Sequence, residues 1–240
     1  MSTLSILIPV FNEAELLERI VSCVFAARLP DNFDKEIIIV DDASTDATPE
    51  IIQQLCKKYQ NITAFRQDKN TGKGAAIRIA INAAKGDYII FQDADIEYDP
   101  NDYYDLLLPL VEDKADVVFG SRFLKSDTKK VKFIYHKFAN KFLTFIVNRL
   151  TGLKLTDMET CYKIFRNDII KSIPLQSNRF EIEAEITIKI AKQKLRISEV
   201  PINYNGRDFA AGKKITWKDG LATLWTIFKE LLKTYFFVKR

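Results

Sequence analysis

Histidine is almost absent from this sequence: 240 residues hold one, His136. Cysteine is scarce too, and Cys23, Cys56 and Cys161 lie far apart with no CxxC pairing. A Cys/His zinc site has too few ligands to draw on. The three thiols read as reduced core residues of a cytosolic protein. No run of 18 apolar residues occurs, so no transmembrane helix is expected. The richest stretch, "LATLWTIFKELLKTYFFVKR", is broken by Lys229, Glu230 and Lys233. The N-terminus shows no basic region followed by a long apolar stretch, so no signal peptide is expected. Internal repeats and low-complexity segments are also missing.

The chain is 47% hydrophobic, enough for one sizeable domain or a domain with a small annex. Its net charge of +4 hides an asymmetry. Residues 1–120 carry 11 Lys/Arg against 21 Asp/Glu, a net of −10; residues 121–240 carry 25 against 11, a net of +14. A basic second half suits phosphates, nucleic acid or an anionic membrane.

Short β-branched runs alternate with helical patterns through the first half. Strands are expected at 4–10, 36–40, 62–65, 88–91 and 116–120, and helices near 13–28, 47–59, 73–85 and 101–113. Several strands are apolar throughout, as in a sheet covered on both faces. Ser44 and Thr45 precede one helix, whose first turn would be Thr48-Pro49-Glu50, and Gly86 would end another. The pattern predicts an α/β fold with a mostly parallel central sheet. The second half adds a basic amphipathic segment at 129–152 with Phe133, Phe138, Phe142, Phe145 and Ile146 as its apolar positions. A helix is expected at 179–193, a strand at 195–204 that runs into the loop "NGRDFAAGKK", and an aromatic-rich helix from Trp217.

In such sheets ligands bind beyond the carboxyl ends of the strands. There the sequence reads "PVFNE", "VDDASTD", "QDADIE" and "GSRF". The same edge is polar four times over. In "IIFQDADIEYDP" the apolar run gives way to Asp93, Asp95, Glu97 and Asp99, which alternate, so that two or three of them would share a face while the chain stays extended. Crowded carboxylates need a cation, and Mg²⁺ or Mn²⁺ bridging to a diphosphate fits hard oxygen ligands. A solvated acidic turn is the plain alternative for so short a pattern. Asp41 or Asp42 suits a ribose or base N–H, and equally a helix cap. "NTGKGAA" lacks the Walker spacing and reads as a tight turn into a helix, with Lys73 near the site by chance or as a minor contact. Arg122 and Arg207 suit bidentate phosphate binding and Lys213 a point charge, whereas Lys214 reads as solvated.

Taken in order, "SILIPVFNE", "IIIVDDASTDAT", "NTGKGAAI", "DYIIFQDADIEYDP", "VVFGSRF" and "TDMETCYKIFR" resemble the family 2 glycosyltransferases. Within that family the chain is similar to the dolichyl-phosphate mannose synthase-like polyprenyl-phosphate glycosyltransferases, over nearly its whole length. The resemblance implies a GT-A (Rossmann-like) fold: a nucleotide-sugar core over 1–125, and a basic acceptor-side and membrane-facing helical extension over 126–240 of the same domain. It implies that Pro9, Phe11, Glu13, Val40 and Asp42 hold the nucleoside. Asp93, Ala94 and Asp95 would form the DxD segment, with Asp93 on the sugar or ribose and Asp95 and Glu97 on Mg²⁺ or Mn²⁺; some members have Gln in place of Glu97. Arg122, Arg207 and Lys213 would bind donor or acceptor phosphates, and Asp93, Asp95 and Arg122 would carry the catalysis.

The implied reaction moves a hexose from GDP-mannose or UDP-glucose to a polyprenyl phosphate, with inversion. A phosphate acceptor is already an anion near neutral pH, since its second pKa is about 6, so no strong base is needed. His136 then reads as a surface or interface residue. Asp157 and Glu159 lie toward the acceptor side, with helix capping an equal reading for Asp157. Many members carry C-terminal transmembrane helices; here contact would be peripheral, on the cytoplasmic face of a membrane, with a membrane-anchoring partner subunit as a further expectation. Two alternatives stand beside this. One is a family 2 transferase with a hydroxyl acceptor and Asp157 as its base. The other is a non-catalytic nucleotide or nucleic-acid binder, which the acidic strand ends oppose; no nucleic-acid partner is expected.

Overall fold

The computed structural model is described for residues 1–125, 134–206 and 216–237. Seven strands form one sheet: β1 (Ser2–Val10), β2 (Phe33–Asp41), β3 (Ile62–Arg66), β4 (Tyr88–Phe91), β5 (Val117–Ser121), β6 (Lys163–Arg166) and β7 (Ile197–Pro201). Their order is β3-β2-β1-β4-β6-β5-β7. β1 is parallel to β2 and β4, β2 to β3, and β5 to β7. β6 alone runs the other way, antiparallel to both β4 and β5. The sheet is therefore not confined to residues 1–125: two strands of the second half complete it, one inserted between β4 and β5.

The apolar runs do what their composition dictates. Leu4, Ile6, Leu7 and Ile8 of β1 are wholly buried on both faces, as are Ile37, Ile38 and Ile39 of β2. Each such side chain contributes roughly 1.5–3 kcal/mol of transfer free energy. The helices are α1 (Leu17–Ala26), α2 (Thr48–Lys58), α3 (Lys73–Ala83), α4 (Tyr103–Val111), α5 (Ile134–Thr151), α6 (Asn167–Ser172), α7 (Ile182–Lys192) and α8 (Trp217–Phe237). α3 packs across β1 and β2, and α4 across β5, β6 and β7. A second apolar cluster, with Leu143 and Val147 of α5, Ala184 and Ile188 of α7 and Ile227 of α8, joins the three late helices.

Two expected caps serve other purposes. Gly86 does not end α3, whose last turn closes at Ala84. A Cβ on Gly86 would stand 2.6 Å from Ser5 Oγ and 2.7 Å from the Thr3 carbonyl, so the glycine lets the chain pass close to β1. Ser44 does not cap α2: its hydroxyl accepts the Asn12 N–H at 2.9 Å. Asp46 does the local work, accepting the Thr48 N–H at 3.0 Å, while Pro49 sits in the first turn as expected.

Candidate active site

The chain leaves β1 toward β2 and returns to place β4 on the other flank of β1. In open α/β sheets ligands bind at such a switch, beyond the carboxyl ends of the strands. The loops after β1 and β2 are laced together. Asn12 takes the left-handed conformation (φ 49°), which asparagine tolerates, and its carboxamide oxygen accepts the Thr45 N–H at 2.8 Å. Glu13 is buried, and its N–H donates to Thr48 Oγ1 at 3.0 Å. Pro9 and Val40 are register partners on β1 and β2, and Val40 is fully buried.

The two aspartates after β2 differ. Asp41 accepts the Ser44 N–H at 2.9 Å and lies 3.5 Å from Arg66 Nε. Asp42 clamps the loop between β3 and α3, accepting from Gln67 Nε2 (2.6 Å) and from the backbone N–H groups of Thr71 (2.7 Å) and Gly72 (2.8 Å). Burial raises its carboxyl above the ordinary value, against the pull of those two N–H donors.

That clamped loop delivers a residue whose weight the sequence understated. Lys73 Nζ reaches Asp93 at 2.6 Å and Glu183 of α7 at 3.4 Å. Burial works against its charge, but the neighbouring carboxylates prevail and hold the ammonium well above its ordinary value. The glycines of "NTGKG" explain its position. Gly72 has φ +110°, and a Cβ there would stand 2.5 Å from the Asn178 carbonyl; one on Gly74 would stand 2.6 Å from that of Ser177. The GxG is thus a close-packing device against residues 177–179, which brings Lys73 onto the DxD segment. Glu183 also pairs with the fully buried Lys163 of β6.

After β4 the chain bends from Ala94 to Glu97 rather than staying extended. The Glu97 N–H donates back to Asp95 Oδ1 at 3.0 Å, and Glu97 Oε2 accepts the Tyr204 hydroxyl at 2.7 Å. Asp95 and Glu97 both act on the Tyr204 phenol, which burial, first of all, pushes above its ordinary value. Among the described residues no group of three or more His, Cys, Asp or Glu gathers as a metal cage. Two half-buried carboxylates fit Mg²⁺ or Mn²⁺ nonetheless, since these ions take one or two protein oxygens and fill the rest with phosphate and water.

Arg122, at the end of β5, makes a bidentate pair with Asp157: Nε and Nη2 each lie 2.7 Å from a carboxylate oxygen. Asp157 is wholly buried and also accepts from Asn140 of α5 at 2.7 Å. Burial alone would raise this carboxyl, but Arg122 outweighs it and holds the group below the ordinary range. Asp157 is therefore the counter-ion of Arg122 and caps no helix. The guanidinium also lies over the Tyr204 ring, 5.1 Å from its centre. Of the expected phosphate ligands, Arg207 and Lys213 lie outside the described residues, as do Lys214, Phe133 and the side chain of His136. The structure thus gathers Asp93, Asp95, Glu97 and Arg122 around Tyr204 and Lys73. Sequence reasoning did not reach Tyr204, Lys163, Glu183 or Asn140.

The mostly parallel α/β sheet with one reversed strand inserted between β4 and β5 has the GT-A fold. Mannosyl-3-phosphoglycerate synthase from Rubrobacter xylanophilus superposes with a TM-score of 0.72 at 18% identity, over 97% of this chain and 74% of the other. Glucosyl-3-phosphoglycerate synthase from Mycobacterium tuberculosis, solved with Mg²⁺ and UDP, gives 0.70 at 17% identity, over 96% and 79%. The family described as "Glycosyl transferase family 2" matches residues 5–173, and the chain belongs to it. The protein is a glycosyltransferase. Its curated relatives include a dodecaprenyl-phosphate galacturonate synthase of Rhizobium johnstonii, 28% identical over 98% of this chain and 67% of that one. A dolichol-phosphate mannosyltransferase of Pyrococcus furiosus is 30% identical over 85% and 56%. A dolichyl-phosphate beta-glucosyltransferase of Trichomonas vaginalis is 27% identical over 84% and 65%. The chain thus spans between 56% and 67% of the length of these relatives.

Proposed function

We propose that the protein moves a hexose, from GDP-mannose or UDP-glucose, to a polyprenyl phosphate, with inversion at the anomeric carbon. The observation that carries this reading is Arg122, held rigid by a buried partner beside the Asp93–Glu97 bend. One side of the crevice suits a metal-bound diphosphate and the other a phosphate. Asp95 and Glu97 would hold Mg²⁺ or Mn²⁺, which when bound supplies positive charge to the leaving diphosphate. Pro9, Phe11, Glu13, Val40 and Asp42 flank the nucleoside. Lys73 fixes Asp93 for the sugar. Arg122 has Nη1 unengaged among the described residues, and it turns this nitrogen to a phosphate oxygen; fixed donors of this kind cost no reorganisation as charge develops. Arg207 and Lys213 complete the phosphate set.

The hydroxyl-acceptor alternative loses its base. Asp157 has no exposure and is saturated by Arg122 and Asn140, so it has no access to a hydroxyl. The reading is tested by incubating purified protein, Mn²⁺ or Mg²⁺ and geranyl phosphate with a panel of labelled GDP- and UDP-sugars. Lipid-linked product from one donor is expected. Donor turnover with label only in sugar or polysaccharide would overturn the acceptor class.

Membrane contact follows from two helices. Among the described residues no helix is long and apolar enough to cross a membrane. Yet Phe138, Phe142 and Phe145 of α5 are 66%, 58% and 64% exposed, against the alternative that they pack on the core. Trp217, Leu221, Trp225 and Phe228 on α8 are exposed as well. Lys137 and Lys141 lie on the same helix α5, each 5.9 Å from the Phe123 ring centre. An aromatic stripe with lysines at its rim suits an anionic lipid interface, here the cytoplasmic leaflet, with or without an anchoring subunit. Phe138→Ser, Phe142→Ser and Phe145→Ser combined should lower co-sedimentation with phosphatidylserine vesicles about ten-fold or more, at unchanged melting temperature. Equal sedimentation would remove α5 from the interface.

A further inference from the structure

Seven ionisable side chains gather where β4 and β5 end and β6 begins, and they do not pair off evenly. Lys73 pairs with Asp93, Lys163 with Glu183, and Arg122 with Asp157. The fourth carboxylate, Glu159, has no ion pair among the described residues. Its Oε1 is shut off from solvent and has no hydrogen-bond partner. Glu159 belongs to the segment between α5 and β6 that also supplies Asp157 to Arg122. Two residues further on, the Cys161 N–H donates to Tyr98 Oη at 3.2 Å, and its thiol lies 3.7 Å from the Phe91 carbonyl at the end of β4. Glu159 thus belongs to the same charged cluster as Arg122, the residue proposed for the phosphate.

We propose that Glu159 donates the proton of its neutral carboxyl as a hydrogen bond to the phosphate of the acceptor, so that acceptor binding is linked to proton uptake. This rests on the phosphate-acceptor reading above. An ionised Glu159 would repel an incoming phosphate dianion, whereas a neutral carboxyl offers an O–H. The charged groups facing it are Lys163 of β6, Glu183 of α7, Arg122 after β5 and Asp157 on its own segment. Burial, the largest influence, pushes its carboxyl up to about 7, above what Lys163 can offset. The proton is therefore retained below that pH and lost as pH rises through it.

The test is calorimetric titration of geranyl phosphate into the protein, preloaded with Mn²⁺ and UDP or GDP, at pH 7 and pH 8.5. Over that interval the ligand is already a dianion. Wild-type affinity should fall about ten-fold as Glu159 loses its proton, and buffers of different ionisation enthalpy should reveal proton uptake on binding. Glu159→Gln keeps an N–H donor and the other charged groups, so its affinity should stay level across the interval with no proton uptake. Glu159→Asp should retain the pH slope. A level wild-type affinity, or the same slope in Glu159→Gln, overturns the proposal while leaving the phosphate acceptor standing. Nucleotide binding without any geranyl phosphate binding overturns the acceptor reading, and the proposal with it.

Discussion

Asp157→Ala is expected to lower the melting temperature by about 10 °C and to abolish transfer. The substitution leaves Arg122 buried with neither of its two carboxylate contacts, and removing one partner of a buried pair costs about 3–5 kcal/mol. For a chain of this length each kcal/mol shifts the midpoint by about 2–4 °C. Asn140 loses its acceptor at the same time, which loosens α5. The pH dependence has a definite sign. Asp157 is held below the ordinary range, so the pair's contribution is complete above the unfolded value of about 3.9 and is lost as pH falls through the lower folded value. Replacing both partners, Arg122→Met with Asp157→Leu, should recover part of the stability and none of the activity. Thermal melting checks all three proteins. A midpoint for Asp157→Ala within about 2 °C of wild type would show that the pair is not holding the site.

Asp95→Ala should separate the two properties. Its side chain is half-buried on a bend beyond the sheet, so the melting midpoint should move little. Transfer should fall about 10²–10³-fold, the loss seen when one stabiliser of developing charge is removed. Binding of UDP or GDP should lose its dependence on Mn²⁺ in calorimetry. A variant keeping more than about a tenth of wild-type turnover would shift the metal to other carboxylates. Asp93→Ala offers a contrast: it strips Lys73 of its closest partner and should perturb stability as well as turnover.

The sheet and the polar edge proposed as its site were legible because they rest on composition. Buried parallel strands read as continuous apolar runs, and the polar residues that follow them all emerge at one end. What was not legible rests on distance in three dimensions. Lys73 reads as an ordinary residue at the start of a helix; only the approach of residues 177–179 to Gly72 and Gly74 makes it a partner of Asp93. Asp157 reads as a cap because an aspartate before a polar turn usually is one, and Arg122 lies 35 positions away. "KIFR" was missed as a strand because four residues beginning with lysine give no alternation; Lys163 is tolerated there by its pairing with Glu183. Arg207 and Lys213 remain proposals from sequence.

The reversed strand has a consequence for the nascent chain. β4, which presents Asp93 and Asp95, gains its outer neighbour only when Lys163–Arg166 has been made. Until then β4 is a bare edge on the ribosome, open to wrong pairing, and β5 waits without either flanking strand. The same insertion supplies Lys163 to the charged cluster and draws Asp157 toward Arg122. Translation must therefore pass Arg166 before the edge proposed as the site can acquire its shape, and a stall before that point would release a half-sheet with its acidic end unneutralised.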